Sequence, residues 1–180
     1  MHETEGDIIM SKSNIVLVGM SGAGKSTVGI ALSYKMRMPY VDIDSYIERK
    51  YDMTISEIFE QYGNDYFRNL ESETAKHIGK NYKRTIISTG GGIILRPDNM
   101  AYLKENGIVV YINRSVENIL KTLKAEKRPL LKDNPERLYQ MYEERHGLYL
   151  KYADVCVANS TDFRSGVENV YEAVKDLIER

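Results

Sequence analysis

The run Gly19-Met20-Ser21-Gly22-Ala23-Gly24-Lys25-Ser26-Thr27 fits the pattern G-x-x-x-x-G-K-[ST], and its surroundings decide what the pattern means. Before it lies the apolar run Ile15-Val16-Leu17-Val18, short enough for a buried strand. After it Val28, Leu32 and Met36 recur at helical spacing. Strand, glycine turn and helix in that order make a phosphate-binding loop. An ordinary Gly/Ser-rich βα turn is the bland alternative, but so many matched positions between a strand and a helix rarely arise by accident. The glycines let successive backbone N–H groups turn toward phosphate oxygens, with the positive end of the next helix behind them. Gly22, Ala23, Gly24, Lys25, Ser26 and Thr27 are therefore the nucleotide-binding candidates, with Lys25 reaching the β- and γ-phosphates and the Ser26 hydroxyl ligating Mg²⁺. The loop specifies a nucleotide and, alone, no reaction.

The strand before the loop has companions. Apolar strand candidates recur at 14–19, 39–43, 84–88, 107–112 and 153–157. Helical patterns alternate with them, such as Val116, Ile119, Leu120 and Leu123, or Val167, Val170, Tyr171, Val174, Leu177 and Ile178. This alternation predicts an α/β fold with a five-stranded parallel sheet. Thr54-x-x-Glu57 and Ser165-x-x-Glu168 read as capping boxes that open two helices. The connection 44–83 is long enough for more than one helix, as expected of a substrate-binding insertion. Lys121, Lys124, Lys127, Arg128, Lys132 and Arg137 make segment 121–137 strongly basic: either a solvated loop or a mobile lid, about 123–134, that closes over a triphosphate.

Length and charge narrow the class. The chain of 180 residues fits a single domain, 13–180, behind a loose leader at 1–12. Twenty-five Lys and Arg against twenty-six Asp and Glu leave a net charge of −1, so no global field draws nucleic acid or an anionic membrane. No apolar stretch approaches the roughly 20 residues that span a bilayer, and the N-terminus lacks a signal-peptide core. A soluble cytoplasmic protein is expected. The single cysteine, Cys156, excludes an intramolecular disulfide and reads as a small buried hydrophobe within Val155-Cys156-Val157. His77 and His146 read as surface or hydrogen-bonded groups rather than catalytic ones.

A second constellation concerns the phosphate acceptor. In Val41-Asp42-Ile43-Asp44, strand alternation would put both carboxylates on one face at a strand's C-terminal end, where ligands bind in open α/β sheets. One could orient Mg²⁺ and the other accept a hydroxyl proton, or both could be a turn and a helix cap. Arg68 and Glu71, three apart on a helix, offer either a fork for a substrate carboxylate or a surface ion pair, and spacing alone favours the latter. Gly90-Gly91-Gly92 follows the strand ending at Ser88; it is a flexible turn or a wall where a ligand presses on bare backbone.

Together these motifs resemble the shikimate kinases, of the nucleoside-monophosphate-kinase-like branch of P-loop proteins. The resemblance runs from about Ile15 to Arg180 through the phosphate loop, Asp42-x-Asp44, Ile58-Phe59-x-x-Tyr62-Gly63, Phe67-Arg68-x-x-Glu71, Ser88-Thr89-Gly90-Gly91-Gly92, Arg128-Pro129-Leu130-Leu131 and Arg145-x-x-Leu148-Tyr149. It implies a three-layer α/β/α domain of P-loop NTPase type with a substrate insertion and a lid. It also implies phosphorylation of the 3-hydroxyl of shikimate by ATP with Mg²⁺, in aromatic amino acid biosynthesis. Asp42 and Ser26 then serve the metal, and Asp44 is the base that also contacts the ring hydroxyls. Arg68 and Arg145 bind the substrate carboxylate, Gly90, Gly91 and Gly92 wall the pocket, and Lys25 and Arg128 neutralise the transferring phosphoryl group. Where the family often stacks an arginine on adenine, this chain has Lys121 and Lys124, and the planar guanidinium is missing there. The implied partners are small molecules, shikimate and ATP, and the expected state is a monomer. Rivals are a gluconate-type kinase of the same fold, which the arginine pair argues against, and a nucleotide-binding regulatory module. The chain lacks the N-K-x-D motif of a GTP switch and keeps every chemical group that the transfer needs.

Overall fold

Asn14–Val18 forms β1, buried along its whole length, because an apolar, β-branched run suits a strand covered on both faces. The computed structural model describes residues 12–125, 135–159 and 163–178. Leader residues 1–11, Arg128 and most of the basic segment called a lid lie outside the described residues.

After β1 come α1 (Lys25–Met36), β2 (Tyr40–Asp42), α2 (Ile43–Tyr51) and α3 (Ile55–Asn81). Next are β3 (Ile86–Ser88), a 3₁₀ turn (Ile93–Leu95), α4 (Pro97–Asn106) and β4 (Gly107–Asn113). The described chain then forms α5 (Val116–Ala125), α6 (Pro135–Tyr152), β5 (Val155–Ala158) and α7 (Phe163–Val174). The five strands pair in parallel in the order β2-β3-β1-β4-β5. The crossovers lay α1 and α7 together on one face, and α3 and α4 together on the other. This is the five-stranded parallel sheet that the alternation predicts, in the three-layer arrangement that the resemblance implies.

Register brings the C-terminal ends of the strands to one edge. Asp42 pairs with Ser88, Leu17 with Ser88, and Val18 with Tyr111. The connections from β1 to β2 and from β3 to β4 leave in opposite directions, so a topological switch point opens at that edge. The long connection between β2 and β3 does hold more than one helix. α3 opens with the expected capping box: the Glu57 N–H donates to Thr54 Oγ1 at 3.2 Å, and the Thr54 N–H donates to Glu57 Oε2 at 2.7 Å. It then breaks at Gly63, whose φ of 83° and ψ of 177° belong to a region that glycine alone occupies freely.

Two expectations fail. Ser165 lies inside α7, which begins at Phe163, so it is a first-turn residue and not the cap. Cys156 is exposed. Alternation along β5 sends Val157 into the core and Cys156 to the other face, and among the described residues β5 is an edge strand, paired with β4.

Candidate active site

The phosphate loop takes its shape from Gly22 and Gly24, whose φ values of 81° and 93° are strained for any side chain. Gly24 is the N-cap of α1, so the loop's free N–H groups sit at the positive end of that helix. Lys25 is buried, and its ammonium donates to the carbonyls of Gly19 and Met20, both at 2.8 Å. Burial lowers its pKa to about 8, against the upward pull of Asp44 and Asp42. Ala23 is buried within the loop, and Thr27 faces solvent beside the cleft.

Asp42 is the helix cap that its spacing allowed, and it also faces the phosphate loop. As the last residue of β2 it caps α2, accepting the Ser45 N–H on Oδ1 at 3.0 Å, while Oδ2 accepts the Ser26 hydroxyl at 3.0 Å. A hydroxyl and a carboxylate side by side next to the loop are hard oxygen donors of the kind that Mg²⁺ takes. Among the described residues no group of three or more His, Cys, Asp or Glu gathers to hold a metal. Ser26 and Asp42 are the residues here that could hold Mg²⁺. The strand alternation proposed for Asp42 and Asp44 does not hold, because the chain turns helical at Ile43 and Asp44 lies in the first turn of α2.

That turn aims Asp44 at the glycine wall. Its Oδ1 is buried with no hydrogen-bond partner, and a Cβ on Gly90 would stand 2.9 Å from it. The same Cβ would stand 3.1 Å from Glu71 Oε1, a second buried oxygen without a partner. Burial foremost, then Asp42 and Glu71, lifts Asp44 to about 7 despite Lys25 and Arg68. Arg68 Nη1 donates to Glu71 Oε2 at 2.6 Å, and Glu71 is wholly inaccessible, so this is a buried ion pair and not the surface pair that spacing favours. Burial raises the Glu71 pKa, with Arg68 acting against it. The Arg68 guanidinium lies flat against Gly92, where any Cβ would overlap it. Gly91 accepts a 2.5 Å hydrogen bond on its carbonyl from the hydroxyl of Tyr149. Burial pushes that hydroxyl up to about 12, which keeps it a donor.

Arg145 lies one turn before Tyr149 on α6. Its Nε is buried without an acceptor, and its charge bears on Glu71, Tyr149 and Lys25. The structure thus gathers Lys25, Ser26, Asp42, Asp44, Arg68, Gly90, Gly91, Gly92 and Arg145 at one edge of the sheet. A cleft of about 320 Å³ runs between the loop and the glycine wall, with Arg114 and Thr122 on its far side. Lys121, next to Thr122 on α5, is exposed. His146 is satisfied as expected, its Nδ1 2.9 Å from the Tyr111 hydroxyl and its ring stacked on Tyr142.

Sequence reasoning passed over Arg114 and Thr122 and took Tyr149 only as part of a motif. Arg114 had one available signal, its place directly after β4 at the ligand-binding edge of the sheet.

Several known proteins are similar to this chain. A shikimate kinase from Clostridium botulinum (strain Alaska E43 / Type E3) is 42% identical over 167 residues, covering 93% of this chain and 98% of the relative. One from a Sulfurihydrogenibium species is 46% identical over 137 residues, covering 76% and 82%. The solved shikimate kinase of Acinetobacter baumannii, in complex with shikimate, superposes with a TM-score of 0.84 at 34% identity, over 93% of this chain and 95% of that one. A gluconokinase from Sinorhizobium meliloti shares the fold alone, with a TM-score of 0.62 at 13% identity over 93% and 94%. Residues 21–177 match the family model of shikimate kinase, and the chain belongs to the shikimate kinase family.

Proposed function

We infer that this chain transfers the γ-phosphoryl group of ATP to the 3-hydroxyl of shikimate, giving ADP and shikimate 3-phosphate. The observation that carries this reading is a cluster of buried polar atoms with no partner within the chain around the glycine wall, Asp44 Oδ1, Glu71 Oε1 and Arg145 Nε, with Arg114 Nε a further one across the cleft. Such atoms are costly unless a ligand meets them. Two acceptors and a cationic donor around a glycine wall suit a ring that carries both hydroxyls and a carboxylate.

Arg68 and Arg145 grip that carboxylate with planar forks and so fix the ring beside the loop. Asp44 accepts the proton of the attacking hydroxyl as its oxygen bonds to the γ-phosphorus and the bond to the β-phosphate oxygen breaks. Lys25 leaves the carbonyls of Gly19 and Met20 for the phosphates, where its charge offsets that of the transferring group. Mg²⁺, held by Ser26 and Asp42, supplies further charge neutralisation when bound with ATP. Arg128, with segment 123–134 as a lid, is assigned to the triphosphate, and Lys121 to the nucleotide, on the family resemblance. Residues 44–83 serve as the acceptor lobe within a single domain, 13–180. Every site residue named comes from one chain, so a monomer suffices. The lone cysteine is in keeping with a reducing cytoplasm, and among the described residues no helix is long and apolar enough to cross a membrane.

The test is ADP release by the purified protein with ATP and Mg²⁺, comparing shikimate, gluconate, AMP and no acceptor. A rate that depends on shikimate and exceeds the others is expected. Equal rates with and without shikimate would overturn the assignment.

A further inference from the structure

The phosphate loop is gripped from outside by side chains with no part in the scheme above. Arg114, immediately after β4, donates from Nη1 to the Gly22 carbonyl at 3.1 Å and from Nη2 to Thr122 Oγ1 at 2.8 Å. Thr122 gives its own proton to the Asn118 carbonyl at 3.2 Å, which leaves its oxygen free to receive Arg114. The other side of the same peptide is also fixed, since the Ala23 N–H donates to the Met20 carbonyl at 3.1 Å. The peptide joining Gly22 to Ala23 is thus held at both ends. The next carbonyl, that of Ala23, accepts from Asn159 Nδ2 at 2.8 Å, and this turns the Gly24 N–H the opposite way.

Strand order gives these contacts a direction. Asp42 and the glycine wall end β2 and follow β3, on one side of β1, whereas Arg114 follows β4 on the other. The γ-phosphate must face the acceptor, so the nucleoside end of ATP extends toward β4. Arg114 and Thr122 both line the cleft there.

We propose that Arg114 is a positioning residue for ATP: its guanidinium fork locks the phosphate loop to α5 in the shape that receives the triphosphate. A point charge does not substitute, because the lock needs two acceptors held at once by one rigid plane. The proposal rests on the kinase reading of the site, but its test is read without the acceptor.

The experiment titrates MgADP into Arg114→Lys, Arg114→Ala and Thr122→Val by calorimetry, with ligand-free melting curves and steady-state kinetics on the same proteins. Arg114→Lys keeps the charge and loses the fork, and about tenfold weaker MgADP binding is expected, the scale of one charge-assisted hydrogen bond. Thr122→Val removes one acceptor and keeps the arginine, and weakening by about threefold to tenfold is expected on the same scale. In both, KM for ATP rises while KM for shikimate stays within about twofold, a split that a general loss of structure does not produce. MgADP binding by Arg114→Lys within twofold of the parent would overturn the proposal, as would an equal rise in both KM values. If Arg114→Ala does not fold, Thr122→Val decides, and unchanged MgADP binding there counts against the lock. Failure of the kinase reading would instead appear as no shikimate-dependent ADP release by the parent protein, whatever the titrations give.

Discussion

Asp44 sits where burial and two neighbouring carboxylates lift its pKa to about 7, with Lys25 and Arg68 limiting the rise. Below that value the carboxyl is protonated and cannot take a proton, so kcat/KM for shikimate should fall about tenfold per pH unit as pH drops below about 7. Asp44→Asn should lose about a hundredfold or more in turnover with MgADP affinity little changed; near-normal turnover would remove the residue from the chemistry. Stability runs the other way. A carboxyl whose folded pKa lies above its unfolded value favours folding while protonated, and that contribution is lost as pH rises through the folded pKa near 7. Urea titration at about pH 8 should therefore find Asp44→Asn at least as stable as the parent. Arg68→Ala should raise KM for shikimate by about tenfold or more and leave KM for ATP nearly intact, since the proposed role of the fork is at the substrate carboxylate and not at the phosphates. It should also cost about 3 kcal/mol in stability, because Glu71 is left buried and unpaired. Equal loss of both affinities would make Arg68 structural. At this scale the motif residues Lys25 and Ser26 were legible, because their spacing has one mechanism. Asp42 and Glu71 were not fully so: one spacing serves a cap or a metal ligand, and another serves a surface or a buried pair. Only burial tells them apart.

Elements were easier to read than their ends. All five strands exist, but the run expected at 84–88 pairs as Ile86–Ser88, and the one at 39–43 as Tyr40–Asp42. The residues trimmed are Arg84 and Thr85 from the first and Pro39 and Ile43 from the second, and residue type alone does not mark where the ladder starts or stops. The capping pattern held at Thr54, where an apolar run follows, and failed at Ser165, where the same offset falls inside a helix already begun. Thr54→Ala should lower stability by about 1 kcal/mol without changing either KM. Gly63 gives a cleaner test. A Cβ there meets nothing within 4 Å, so steric overlap is not the issue, but the φ of 83° remains. Gly63→Ala should destabilise by about 1–3 kcal/mol in urea titrations, or else straighten α3 and raise KM for shikimate through Arg68. A variant unchanged in both respects would show that the break is idle.

For the whole molecule, one continuous core runs from β1 outward on both faces of the sheet, and the chemistry is confined to one edge. Both Asp42 oxygens already have partners within the chain. Chelating Mg²⁺ should therefore abolish ADP release while leaving the melting temperature of the ligand-free protein unchanged; a fall in that temperature would mean that the metal is structural. Parallel order was legible because a phosphate loop demands a strand and a helix in sequence, and alternation extends the rule. The joining of Gly91 to Tyr149 was not, because no local pattern records which distant helix will lie against a loop. Arg68 and Arg145, the arginines proposed for the substrate carboxylate, come from α3 and α6, elements far apart in the chain, whereas the phosphate-loop motif lies within a few residues of Gly19. On that assignment the acceptor site is completed only long after the phosphate-loop motif has left the ribosome. A nascent chain lacking α6 owns the motif for ATP, and Arg68, before it owns Arg145, the second half of the proposed grip on the acceptor.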